Sequence, residues 1–324
     1  MRRAARAGVV LVSVLALAAC AVPHRKDDRV PRKIAASERV VDQVLQRYDE
    51  VRGTAAELLD AKPLSTVETG PVLAIDSGSF EVLQRLSKSA DDDRAQGEVT
   101  DVLAPRFGKY PLWFYVVVRD AAKGVNRVQV FERASSVDPW LLSASPETLV
   151  ATRLPTVRRS GGAAVTVGAE DARGMRMSVQ DAAAAYATVL GDPKAPERKE
   201  IAADSFIEQM RAAAQTNAGL KGVSFSQQWS AQDVSYALRT GDGGALAFVT
   251  LLRSDTYDVD EGFTVTWPDG SPQQAFLASG INGTGRLNYY HQVLLYLPGG
   301  GGKPRALGQY GGVVSAEADG TSAR

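Results

Sequence analysis

The sequence predicts an α+β protein built from two tandem units, each a helix followed by a curved antiparallel sheet. Two observations place the helices. Apolar residues recur at three- and four-residue spacing through Val41, Val44, Leu45, Tyr48, Val51, Ala55, Leu58 and Leu59, and again through Ala182, Ala185, Tyr186, Val189 and Leu190. A third observation lies downstream of each helix: short runs of aromatic and β-branched residues separated by turn residues, the signature of antiparallel strands. Helix and then meander, rather than strict alternation, is the α+β pattern in which a sheet covers the helix. The boundaries expected are residues 1–19 as a signal peptide, 20–36 as a disordered lipidated tether and 37–150 as the first unit. Residues 151–177 come next as a linker, 178–316 as the second unit and 317–324 as a disordered tail.

The N-terminus has the three parts of an export signal: Arg2, Arg3 and Arg6, an apolar core from Val9 to Ala19, and small residues at its end. That core is far shorter than the roughly 20 residues a membrane-spanning helix needs. Leu17-Ala18-Ala19-Cys20 resembles the bacterial lipobox. The resemblance implies cleavage after Ala19 and thioether diacylation of Cys20, the sole cysteine, on the outer face of the cytoplasmic membrane. Two acyl chains anchor stably where one holds only marginally. The tether, with Pro23 and Pro31 among charged residues, reaches at most roughly 50 Å when extended.

Taken in order, Ser37 caps the first helix, which runs to about Ala61 and is closed by Lys62-Pro63. Thr66–Ile75 and a short helix near Ser79–Leu86 come after it. Ala90–Glu98, with Asp91, Asp92, Asp93 and Arg94, is expected to be a solvated loop. Tyr110–Val118 is a buried strand, and Val125–Glu132 and Trp140–Ala144 are its antiparallel neighbours. In the second unit Ser178 caps a helix to about Leu190, and Ile201–Ala214 forms another. Strands are expected at Val223–Trp229, Ser235–Thr240, Ala245–Arg253, Phe263–Trp267, Tyr289–Leu297 and Ala306–Ala316. Gly241-Asp242-Gly243-Gly244 supplies a tight hairpin, and Gly299–Gly302 reads as a flexible loop.

Several function classes are disfavoured by composition. The chain has 37 basic and 37 acidic residues, and loss of residues 1–19 removes three arginines and no acid. A nearly neutral mature protein lacks the clustered positive charge of a general nucleic-acid binder, so no nucleic-acid partner is expected. With Cys20 lipidated no thiol remains for a disulfide or a nucleophile. No cofactor motif is present, and neither are the common zinc, serine-elbow and phosphate-loop motifs.

A family resemblance rests on Arg47-Tyr48-Asp49-Glu50-Val51, Leu59-Asp60-Ala61-Lys62-Pro63-Leu64 and Val67-Glu68-Thr69-Gly70-Pro71. It continues in Tyr110-Pro111-Leu112-Trp113-Phe114 and in the hairpin from Ala237 to Leu246. These segments resemble an actinobacterial lipoprotein family of unknown function. The resemblance implies tandem cone-shaped domains like nuclear transport factor 2, and it brings no catalytic residue with it.

Of two histidines, His24 lies in the tether, leaving His291 as the folded candidate for acid–base work at neutral pH. Strand alternation places it on the face of Tyr289 and Val293, where a structural role is the simpler reading. Asp255, Asp258, Asp260 and Glu261 lack the spacing of a calcium loop and read as a solvated hairpin tip; no metal is expected. Trp113, Tyr115, Trp140 and Trp229, with His291, are the candidate lining of an apolar ligand cavity, Trp113 and Tyr115 sharing one strand face with Phe114 on the other. The leading functional expectation is a membrane-tethered, non-enzymatic binding module at the cell envelope, joined to lipid through the Cys20 diacylglyceryl group. Its further partner would be an envelope protein or a small apolar ligand. The alternatives are a carboxylate- or tyrosine-based enzyme acting in a cone cavity and a structural envelope-assembly factor.

Overall fold

The structure is a computed structural model that describes residues 32–90 and 97–319. The signal, Cys20, His24 and the Asp91–Arg94 run therefore lie outside the described residues. The chain enters through a short strand, β1 (Lys33–Ile34), and then forms helix α1 (Glu38–Leu58) behind an extended Ser37. Its stripe of Val41, Val44, Tyr48 and Ala55 is buried, and Leu59 ends it in the left-handed conformation at φ 50°. A 3-10 turn over Lys62–Thr66 leads to α2 (Gly70–Arg85). This helix starts nine residues before the expected Ser79 and absorbs most of Thr66–Ile75. Pro71 in its first turn explains the early start, because its fixed φ suits a helix entry and its missing N–H would have had no partner there.

Next come β2 (Glu98–Leu103), β3 (Arg106–Phe107), β4 (Leu112–Asp120), β5 (Val125–Arg133), β6 (Leu141–Ala144) and β7 (Glu147–Leu149). Glu98 is thus paired in a strand, not in a loop. Strands β2, β4 and β5 lie side by side, with β6 and β7 end to end along the free edge of β5, while β3 pairs with β1. Every residue from Trp113 to Val118 is buried, so β4 carries apolar groups on both faces.

The segment 151–177 is not a linker. It contains a ribbon, β8 (Arg159–Ser160) with β9 (Ala163–Ala164), and its backbone bonds to both halves. Ala164 N donates to Ala104 O at 3.3 Å, while Arg239 N donates to Val165 O at 2.7 Å and Val167 N to Ala237 O at 2.9 Å. Covered peptide groups need partners, and here the residue that follows β2 provides one and the strand Tyr236–Arg239 the others.

The second half begins with α3 (Val179–Gly191), where the Ser178 hydroxyl accepts from Asp181 N at 3.1 Å. Helix α4 (Ser205–Ala218) starts later than Ile201 because Asp204 is the cap, accepting from Ile207 N at 2.9 Å. The sheet comprises β10 (Val223–Ala231), β11 (Tyr236–Arg239), β12 (Ala245–Val259), β13 (Thr284–Leu297) and β14 (Arg305–Ala318), with a one-turn helix α5 (Pro272–Phe276) between β12 and β13. Its order is β10-β12-β13-β14, all antiparallel, with β11 on the same edge of β12 as β10. Phe263–Trp267 is a loop with one bridge, Val265 to Ile281, because the expected strand is replaced by extension of β12 and β13. Strand β14 pairs through Ala318, so Glu317 and Ala318 do not fray. Gly299–Gly302 is tied down as well: Gly299 N donates to Asp242 at 2.8 Å and Gly300 N to Gly174 O at 3.0 Å.

Four layers result. Phe114, Val116 and Phe131 pack the outer face of the first sheet against Val41, Val44, Tyr48 and Val72 of the N-terminal helices. Trp113, Tyr115, Val117 and Val130 on the inner face join Leu238, Leu246, Phe248 and Leu294 of the second sheet in one cluster. The opposite face of the second sheet, with Ala247, Val249, Leu251 and Val293, covers α3 and α4. Residues 32–319 form a single compact unit with an α+β fold and a core that crosses between the halves.

Candidate functional site

The aromatic residues singled out as cavity lining occupy three separate places. Trp113 packs on Phe107 and Tyr236, each ring 5.6 Å away, and Tyr115 on Phe248 at 5.9 Å; both are spent on the seam between the sheets. An edge of Tyr115 also borders a surface recess of about 340 Å³ beside Asp101 and Arg119. Trp140 stacks edge-on against Phe114 at 5.0 Å, on the other face of the first sheet. Trp229 and His291 meet at 5.1 Å beneath the second sheet, with Phe206 closing over both. His291 is 6% exposed and neither ring nitrogen is hydrogen-bonded. Burial first, and the nearby Arg253 charge second, lower its pKa to about 3, so the ring is neutral and holds no proton to transfer near pH 7.

The acidic cluster divides. Asp255 is wholly buried, not at a hairpin tip, because alternation along β12 turns it and Arg253 inward together. Arg253 Nε donates to Asp255 Oδ1 at 2.8 Å, and its guanidinium lies 4.2 Å from the centre of the Tyr289 ring. Asp258 accepts from Thr284 at 2.9 Å, and Asp260 and Glu261 face solvent.

A second buried polar cluster joins α1, α2 and β14. Arg52 Nη2 lies 3.0 Å from Asp76 Oδ2, and its Nε donates to the Tyr48 hydroxyl at 2.9 Å. Tyr48 in turn donates to Glu68 Oε1 at 3.3 Å, and Tyr310 donates to Asp76. Glu68 and Asp76 are each 1% exposed. Burial first and the Asp76 charge next push the Glu68 carboxyl well above the usual range, leaving Glu68 the natural holder of a proton. Carboxyl, tyrosine and guanidinium groups are acid–base chemistry in kind, but these sit where no substrate reaches them.

The most highly charged concave surface is elsewhere. A cleft of about 720 Å³ opens where the 151–177 seam meets both halves, lined by Arg32, Arg106, Arg158, Arg173, Arg239 and a single carboxylate, Asp171. Its parts come from the β1–β3 ribbon, the β8–β9 ribbon, the loop before α3 and the β11–β12 hairpin. Arg239 is nearly buried and fixed: it donates to Asp171 at 2.7 Å and to the carbonyls of Arg173 at 2.7 Å and Gly243 at 3.0 Å. Gly243 has φ 88°, a conformation that suits glycine, and it lines the cleft where its carbonyl accepts from Arg239. Hydrogen bonds from Arg173 hold Asp171 below the usual carboxylate range, so it stays ionised between two arginines. Arg32, Arg106 and Arg158 are exposed and have no carboxylate partner among the described residues. Guanidinium groups do not deprotonate, and five against one carboxylate leave four positive charges uncancelled. Such a cleft can bind anionic oxygens through bidentate hydrogen bonds.

A groove of about 460 Å³ runs along the second sheet and is bordered by Trp229, Tyr289 and Arg253, but Arg253 is paired with Asp255 and the polar row is satisfied internally: Ser254 donates to Asn288 and Asn288 to Ser315, each at 3.0 Å. Sequence reasoning missed the arginine cleft because its charged residues are scattered from 32 to 239, with only Arg158, Asp171 and Arg173 sharing the segment 151–177.

No curated protein and no solved structure matches the chain. A family model does match, over residues 33–318, which is almost all of the described chain. The protein, with its arginine cleft and shared core, belongs to the family described as Domain of unknown function (DUF8094).

Proposed function

We propose that the protein is an exported lipoprotein, anchored through Cys20 to the outer face of the cytoplasmic membrane, that works as a non-enzymatic binding module with the arginine cleft as its binding surface. The observation that carries the reading is the cleft's charge: five guanidinium groups and one carboxylate in a chain whose net charge is zero. That surplus is concentrated, open and directed at one class of ligand, anionic oxygens. The enzyme alternative draws less support, because its best acids, Glu68 and Asp76, are sealed in the core. Membership of an actinobacterial lipoprotein family, with two halves descended from cone-shaped units, belongs to the same proposal. It is supported by the lipobox-like Leu17–Cys20 and by the helices each half sets against a sheet face.

One comparison of wild type with Cys20→Ser tests both parts. Radiolabelled fatty acid attaches to wild type and not to Cys20→Ser, and the purified full-length Cys20→Ser protein binds inorganic pyrophosphate in a calorimetric titration. Label retained on Cys20→Ser would remove the anchor. A silent titration at low salt would remove the anion site.

A further inference from the structure

We propose that the arginine cleft docks the protein face-down onto the anionic phosphate surface of the membrane that carries its anchor. The inference rests on the lipoprotein reading above and names the ligand of the same site. Its first support is where the chain leaves the folded body. Arg32, the first described residue, lines the cleft itself, and Lys33–Ile34 pairs directly with Arg106–Phe107 on its rim. Cys20 lies twelve residues before Arg32, so an extended tether spans at most about 40 Å, and the face it emerges from is the arginine face.

The second support is the form of the charge. An enclosed phosphate site converges several donors on one ion. Here Arg239 and Arg173 are already held by Asp171, Arg239 by two carbonyls as well, whereas Arg32, Arg106 and Arg158 stand exposed around an open rim with no carboxylate partner among the described residues, Arg106 donating to the Gly161 carbonyl at 3.1 Å. Separate, outward cations match a layer of many phosphates better than one small ion. Ile34, opposite Arg106 in the ribbon, is 45% exposed and adds an apolar group at the same rim, as surfaces that settle into the headgroup region do.

Co-sedimentation of the mature chain, residues 20–324 with Cys20→Ser, with vesicles tests the proposal. Vesicles of phosphatidylcholine alone are compared with vesicles containing one third phosphatidylglycerol, and pyrophosphate titration of the same protein runs alongside. The expected result is binding to the anionic vesicles only. It weakens as salt is raised, because about 0.1 M salt screens charges beyond ~10 Å. Arg106→Gln/Arg158→Gln, checked for an unchanged melting temperature, binds about 30-fold more weakly, the loss of two surface cations. Equal binding to both vesicle types, or full binding by the double variant, would overturn membrane docking. Pyrophosphate binding without vesicle binding would also overturn it while leaving the anion-binding module intact. Failure of both arms would end both readings.

Discussion

Two arginine-centred regions of this molecule carry opposite imbalances and resolve them in opposite ways. Around Arg52 one guanidinium faces two buried carboxyls, Glu68 and Asp76; around Arg239 five guanidinium groups face one carboxylate, Asp171. The inner region has a way out of its surplus, because a carboxyl can take a proton, and burial with the Asp76 charge pushes Glu68 toward doing so. The outer region has none, because a guanidinium cannot give its proton up. Surplus acid in a core becomes a protonation state. Surplus arginine in a cleft persists as charge, which only an external anion can complete.

The largest difference between the two regions should appear when the inner cation is removed. Arg52 bonds Tyr48 and Asp76 and approaches Glu68 at 3.8 Å, so Arg52→Met strands two acids in an apolar setting. Stability should fall by about 3–5 kcal/mol, the cost of orphaning a buried charge, measured by urea unfolding at neutral pH. Loss of the cleft arginines Arg106 and Arg158 should leave the same measurement nearly unmoved, because exposed charges with no carboxylate partner among the described residues contribute little to folding, and the one bond from Arg106 to the Gly161 carbonyl is itself exposed. An Arg52 variant as stable as wild type would show that the inner network does not hold α1 to α2 and β14.

Helices α1 and α3 were legible because one-sided burial writes a period into the residues, and strand β4 because burial on both faces leaves an unbroken run of aromatic and β-branched residues. The two polar regions were not, for different reasons. The inner one left a faint mark: Val72, Asp76 and Phe80 stand four apart on one face of α2, so an acid sat on an apolar stripe. With the helix expected to begin only at Ser79, that stripe could not be seen. The outer one left none, since Arg32, Arg106, Arg173 and Arg239 meet only after the 151–177 segment has bonded to both sheets. Expectation of two separate units hid it further, because a cleft at the seam needs both halves in one body. Trp113 and Tyr115 were placed correctly on one strand face, but that face met a second sheet and not a cavity.

A smaller effect concerns a buried group whose charging is blocked outright. His291 is held neutral by burial and by Arg253, with a pKa near 3 against an ordinary 6.5. The unfolded chain therefore binds a proton that the folded one refuses, and stability is lost as pH falls from 6.5 toward 3. Between pH 7 and pH 5 the loss is about 2 kcal/mol, fixed by the ordinary imidazole value as long as the folded one stays well below 5. His291→Phe should abolish this slope without a large cost at neutral pH, since Phe206, Trp229 and Tyr289 already surround the ring. Thermal unfolding of both proteins at the two pH values checks it. An unchanged slope in the variant would mean the ring is solvated and titrates freely.

The smallest effect falls on the inner acid itself and runs with the opposite sign. Glu68 has a raised pKa, so the folded state binds its proton more tightly than the unfolded chain does. The stability this gives is complete below the ordinary carboxyl value near 4.5 and is lost as pH climbs through the folded value. Glu68→Gln keeps the shape of the protonated acid, can still accept from Tyr48 through its amide oxygen, and places an N–H where the acid carries its proton. The variant should match wild type within about 1 kcal/mol near pH 5 and gain on it as pH rises, because the amide has no charge to acquire. Urea unfolding of the pair across that range reads the difference directly. A variant that instead loses ground as pH rises would mean that Glu68 works as an ionised partner of Arg52, and the inner region would then be a balanced network with no stored proton.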